Sequence, residues 1–235
     1  MSARSCRWAA RGLDGGGGLG QGRGAGRWAR CCPMKSPMRS SLRRLAVLAA
    51  ALAVSACATV PAVPPEPEVT LASMTMAWDH RPEGRDWTAA SFAALDSHGA
   101  ALLDMMPADI AAWCPGYETA SRDERRAFWT GLMSALAEYE STWNPEAVGG
   151  GGRWFGLVQI DPRTAQGYGC EATSGSALRD GAANLSCAVR IASRQVARYG
   201  TVARGMRDWG PFHSAEKRES MRAWVSSQSY CAAPG

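Results

Sequence analysis

The chain has 235 residues, enough for one or two domains, with 26 basic and 21 acidic side chains and a formal net charge of +5. The basic excess is local: residues 1–56 hold ten of the 26 basic residues and one of the 21 acidic ones, so the remainder carries 16 against 20, a net −4. Charge therefore gives no support to a nucleic-acid partner; three widely spaced histidines and no C-x-x-C give none to a zinc site, and no metal or cofactor is expected.

In chain order, the stretch "GLDGGGGLGQGRGAGRWARCC" is rich in Gly and Arg, has no hydrophobic period and cannot bury enough apolar surface to fold. Met34 and Met38 are alternative starts; with a start at Met34, residues 1–33 are not translated and Cys6, Cys31 and Cys32 carry no function. From there Lys35, Arg39, Arg43 and Arg44 precede an apolar run from Leu45 to Val54, followed by small residues. That is the pattern of a secretory signal, and the run is shorter than the ~20 residues a membrane span needs.

Residues 1–56 are accordingly read as a leader. Val54-Ser55-Ala56-Cys57 resembles the bacterial lipobox. The resemblance implies cleavage before Cys57, lipidation of that cysteine and, with Ala58 following it in a Gram-negative host, a periplasmic protein anchored to the outer membrane. The alternative is an ordinary cleaved signal with Cys57 incidental. Residues 57–77, with four prolines, read as a semi-rigid tether.

Residues 78–235 read as one domain, all-α or α-dominated, with little or no sheet. Asp86 is a candidate cap for a helix that Gly99 ends, and Pro107 opens a short second one. Ser121 and Glu124 form a capping box for a helix whose Phe128, Leu132, Ala135, Leu136 and Tyr139 recur at helical spacing. Phe155 to Ile160 is at most a short extended piece; Asp161-Pro162 starts a turn or short helix. Leu185, Val189, Ala192, Val196 and Tyr199 form another stripe, stopped by Gly200, and Ser214 caps the last helix. The four later cysteines allow three pairings; Cys170 with Cys187 and Cys114 with Cys231 is favoured, each bridge contributing ~3 kcal/mol through chain entropy.

The capping-box helix ends in "LAEYESTWNP". At 100° per residue from Phe128, the apolar stripe, with Trp129 and Met133 on its flank, runs from about −20° to about +140°, placing Glu140 beside those two at about +120° and Glu138 outside it at about −80°. An acid leaving a helix end on its apolar side is partly desolvated, which raises its pKa and suits it to give up a proton near neutral pH. A plain ion pair with Arg126 or Arg153 would explain it equally from this segment alone. Beyond lie a four-glycine loop, then Trp154, whose face suits a sugar ring, and Gln159, whose amide donates and accepts; taken singly, Trp154 reads as well as a core residue and Gln159 as a side chain that satisfies backbone groups.

The ordered set Glu140-Ser141 before an aromatic and Asn144-Pro145, then Gly156-Leu157-Val158-Gln159-Ile160 with Pro162, Thr164 and Ala165, then Asn184-Leu185, resembles the soluble lytic transglycosylase catalytic domain, lysozyme-like in fold. The resemblance spans about Ala127 to Gly210. It implies that Glu140 is the catalytic acid and that Ser141 and Gln159 line a saccharide groove. Val158 replaces the usual Met, Ala188 a Gly and Ile191 an aromatic. The family's late tyrosine falls near "GMRDWGP", where Arg207 or Asp208 stands with Trp209 beside it; Tyr168 and Tyr199 are the candidates to substitute. Asp208 and Trp209 thus join Ser141, Trp154 and Gln159 as expected substrate-binding residues.

The activity implied is cleavage of the bond between N-acetylmuramic acid and N-acetylglucosamine in peptidoglycan, with a 1,6-anhydro product and one carboxyl serving in turn as acid and base. Two alternatives stand beside it. A lysozyme-type hydrolase would need a second acid, for which Asp161, Asp180 and Asp208 are candidates; a lipoprotein that binds wall glycans without cutting them is favoured by the missing tyrosine. A monomer whose partners are glycan strands and, through its lipid, a membrane is expected.

Overall fold

The structure is a computed structural model that describes residues 74–233. The leader, Cys57 and most of the tether lie outside the described residues. Among these, eight α-helices and one two-stranded hairpin make a helix-dominated fold. No helix there is long and apolar enough to cross a membrane.

Packing begins earlier than Trp78. Met74 and Met76 are both buried, so the last residues assigned to the tether belong to the core. The Ala77 amide donates to Ser134 Oγ at 3.0 Å. The first helix also differs from expectation: α1 (Gly84–Asp96) follows Glu83, which makes no side-chain cap, and Asp86 sits inside the first turn. Ser97 ends it, and Gly99 instead precedes a second short helix, α2 (Ala100–Asp104). The Pro107 segment yields only α3 (Ile110–Trp113).

The central helix is α4 (Arg122–Ser141). Its capping box is complete, with the Glu124 amide donating to Ser121 Oγ at 3.3 Å and the Ser121 amide to the Glu124 carboxylate at 2.6 Å. Eleven consecutive residues, Ala127–Ala137, are buried. A helix enclosed on every side needs neighbours all around, and α1, α2 and, from the far end of the chain, α8 (Ala215–Ser226) supply them.

After α4, β1 (Val148–Gly149) pairs antiparallel with β2 (Trp154–Phe155), so the four-glycine stretch is the turn of a hairpin. A single bridge then joins Phe155 to Ile160. Asp161 caps α5 (Pro162–Tyr168), accepting from the Arg163 amide. Asp180 caps α6 (Gly181–Tyr199), which Gly200 ends in the left-handed conformation, and α7 (Val202–Gly205) packs back on it. Disulfides join Cys170 to Cys187 and Cys114 to Cys231, the pairing favoured from the sequence.

Candidate active site

Glu140 stands in the last turn of α4, half-buried, while Glu138 is exposed. Burial lifts the Glu140 carboxyl to about 7, against the pull of the Lys217 ammonium and the Gly210 backbone. The chain then turns through Thr142 and Trp143, both left-handed at φ 53° and 54°. Two such non-glycine residues cost about 1–3 kcal/mol each, so neighbouring contacts must hold them. Trp143 Nε1 donates to Ser134 O at 2.9 Å, and the His80 ring meets the Trp143 ring edge-on at 4.5 Å. Ser141 Oγ donates to Leu157 O at 2.8 Å and accepts from the Asn144 amide at 3.2 Å.

Ser141 therefore fastens the end of α4 to the next loop. Gly156 in that loop has φ 84°, and a Cβ there would lie 2.1 Å from Leu178 O, so glycine is required. Asn184, fully buried on α6, ties the loop down: its Nδ2 donates to Phe155 O and Leu178 O, both at 2.9 Å, and its Oδ1 accepts from the Val158 amide at 3.0 Å. Gln159 follows at φ 49°. Its Nε2 donates to Ala147 O at 3.2 Å and Gly156 O at 2.9 Å, which commits both amide hydrogens to backbone and leaves Oε1 to accept.

Trp154, Gln159, Asp161, Tyr168, Asp208 and Trp209 are among the residues that wall a cavity of about 460 Å³. Trp154 is exposed with the Arg153 guanidinium over its ring, whereas Trp209 is buried and its Nε1 donates to Val158 O at 2.9 Å. Glu140 does not line this cavity. The Trp209–Gly210 segment links the two, because a Cβ on Gly210 would stand 4.0 Å from Glu140 Oε1 while Trp209 forms part of the cavity wall.

Three further acids were candidates for a second carboxylate. Asp180 is committed as a helix cap, accepting from the Ala183 amide at 2.8 Å. Asp161, a cap as well, lies 3.7 Å from nitrogens of both Arg153 and Arg163. Asp208 accepts from Gln195 Nε2 at 2.8 Å and from the Tyr168 hydroxyl at 3.3 Å. Burial first, then the Asp208 carboxylate, holds the Tyr168 phenol above its ordinary range.

Of the expected substrate-binding residues, Trp154, Gln159, Asp208 and Trp209 share one wall, and Ser141 stands outside it with its hydroxyl already used. Gln159 departs from expectation in having no donor to spare. Lys217 and Gly210, the groups that face the Glu140 carboxyl, went unnoticed in the sequence: they lie about seventy residues downstream, and no spacing rule connects them to it. Among the described residues no three His, Cys, Asp or Glu side chains are grouped to hold a metal ion.

Comparison with known proteins bears on the family and the fold. Residues 119–230 match the model of the transglycosylase SLT domain. Solved structures of Bd0314 DslA, one a Glu-to-Gln mutant and one the wild-type form 2, match with TM-scores of 0.62 and 0.61. Each is 28% identical in sequence, over 68% of this chain and 99% of its own. No curated protein matches the chain. With its helix-dominated architecture, its acid at the end of the central helix and the loop that Asn184 holds against it, the segment 119–230 is a lysozyme-like domain of the transglycosylase SLT family.

Proposed function

We propose that the protein is a peptidoglycan lytic transglycosylase in which Glu140 is the acid and base. The observation that carries this is a single half-buried carboxyl whose desolvation holds it near neutrality, beside a cavity walled by an exposed and a buried tryptophan. Glu140 begins protonated and gives its proton to the glycosidic oxygen between N-acetylmuramic acid and N-acetylglucosamine as the C1–O bond breaks. The resulting carboxylate takes the proton from the muramyl C6 hydroxyl, whose oxygen closes on C1. The product is a 1,6-anhydro end, and the carboxyl is restored without a water nucleophile.

In this reading Trp154 stacks on a sugar ring, Gln159 Oε1 accepts from a hydroxyl or amide N–H, and Arg207 or Asp208 occupies the place of the family's late tyrosine, with Tyr168 bonded to Asp208. Lipidation at Cys57 would hold the domain at the periplasmic face of the outer membrane, within reach of the wall.

The test is digestion of purified sacculi with mass analysis of the released muropeptides. Products lighter by one water than hydrolytic ones are expected, and their formation should drop by about 10²–10⁴-fold in Glu140→Gln. Products of hydrolytic mass would establish a muramidase instead, and binding without release would establish a non-cutting wall-binding protein.

A further inference from the structure

From Arg190 to Arg207 the chain carries five arginines, Arg190, Arg194, Arg198, Arg204 and Arg207, and no acid. None of the five is ion-paired among the described residues, although most other arginines near acids are. Arg190 stands apart, by the Cys170–Cys187 bridge. The other four cluster at the C-terminal end of α6 and around α7. Arg194 lies over the Tyr168 ring, and Arg198 and Arg204 flank the ring of the exposed Tyr199 at 5.4 and 5.5 Å. The Arg207 guanidinium donates to His213 Nδ1, whose Nε2–H donates back to Arg207 O.

Aromatic faces and a histidine thus hold these cations in place without neutralising them. Asp109, the acid nearest the start of α7, offers them nothing, since its carboxylate already accepts from the Val202 and Ala203 amides and from Trp113 Nε1. Tyr199, Arg204, Arg207 and Asp208 wall a second cavity of about 300 Å³. Asp208 lines both cavities, so the second adjoins the one assigned to the glycan.

We propose that this second cavity is a subsite for the peptide stems of peptidoglycan, an inference that rests on the peptidoglycan reading above. Each stem hangs from the lactyl group of a muramyl residue and carries several carboxylates and, on its diamino acid, a free amine. Arg204 and Arg207 present planar donor forks that fit carboxylates, and Asp208 between the two cavities fits the amine. A pocket with two cations and one anion suits such a zwitterion better than an anionic bilayer surface, which Asp208 would repel. The position adjoining the glycan cavity is where a stem would fall when its strand lies in that cavity.

The experiment titrates a soluble tetrapeptide stem, free of sugar, into the full chain and follows backbone amides by NMR. Shifts at Arg204, Arg207 and Asp208 are expected, with affinity lost by about tenfold or more in Arg204→Gln/Arg207→Gln, by less in Arg204→Lys, and unchanged in Arg85→Gln on α1. In parallel, glycan strands with stems and strands stripped of them by an amidase are digested. The wild type should show a lower KM on stem-bearing strands, and the ratio of the two KM values should fall toward one in the double variant. No shift with the peptide, an unaltered KM ratio in the double variant, or displacement of the peptide by phosphatidylglycerol vesicles would each overturn the subsite. If neither kind of strand is cut, the enzymatic reading fails, and the peptide titration still decides the subsite.

Discussion

At the scale of single residues, Glu140 has its protonation set by where α4 stops. Desolvation is the largest influence on it and raises its pKa from 4.5 to about 7. The folded protein therefore binds this proton more tightly than the unfolded chain does. Stability contributed by the protonated form is full below about pH 4.5, is lost as pH rises to about 7, and the cost of the buried carboxylate is constant above that. Glu140→Gln should consequently be more stable than the wild type at pH 8, by up to about 3 kcal/mol, and the two should converge near pH 4. Denaturant melts at the two pH values check this, and an equal gap at both would contradict it. The same proton should make kcat/KM on sacculi fall as pH passes through about 7, because the reaction starts from the acid form.

Glu140 was legible in the sequence because its environment is mostly local: its place on the apolar arc of α4 follows from helical spacing, and the same arithmetic puts the exposed Glu138 on the other side. The commitments of Ser141 and Gln159 were not legible. Both are polar residues beside a turn, and which backbone groups they satisfy depends on a loop whose path Asn184 sets from α6, more than twenty residues on.

At the scale of elements, three helix starts that the sequence named by a capping side chain were read correctly: Ser121, Asp161 and Ser214 each accept from a backbone amide of the first turn. The caps Asp180 of α6 and Thr201 of α7 were not read. Where no side chain caps, as at Glu83 before α1, the sequence pointed to the wrong residue. The hairpin of β1 and β2 is two residues per strand, too short for any alternation to register.

The end of α4 carries a separate cost, because Thr142 is exposed and left-handed, and its side chain makes no hydrogen bond among the described residues. Thr142→Gly should raise stability by about 0.5–1 kcal/mol, read from the urea midpoint at unchanged slope. A loss of stability would mean that Thr142 is held by something other than backbone geometry.

At the scale of the whole molecule, the last turn of the chain is bridged back to the connection between α3 and α4. Cys114 and Cys231 lie 117 residues apart in sequence, both fully buried, and their bridge pins the last 3₁₀ turn against the start of the α3–α4 connection. Constraining so long a loop contributes about 4–5 kcal/mol by the chain-entropy estimate, against about 3 kcal/mol for the 17-residue Cys170–Cys187 loop. Replacing Cys114 and Cys231 by Ala should therefore lower the thermal midpoint more than replacing Cys170 and Cys187, and equal losses would show that loop length does not govern.

The buried methionines at the N-terminal edge have a mechanical consequence. Ala77 is bonded to Ser134 Oγ, and Ser134 O accepts from Trp143, the residue at which the chain swings away from Glu140. Force applied where the chain enters the domain would thus load the middle of α4 and, one bond further, the hinge beside the acid, so tension and the posture of that carboxyl are coupled.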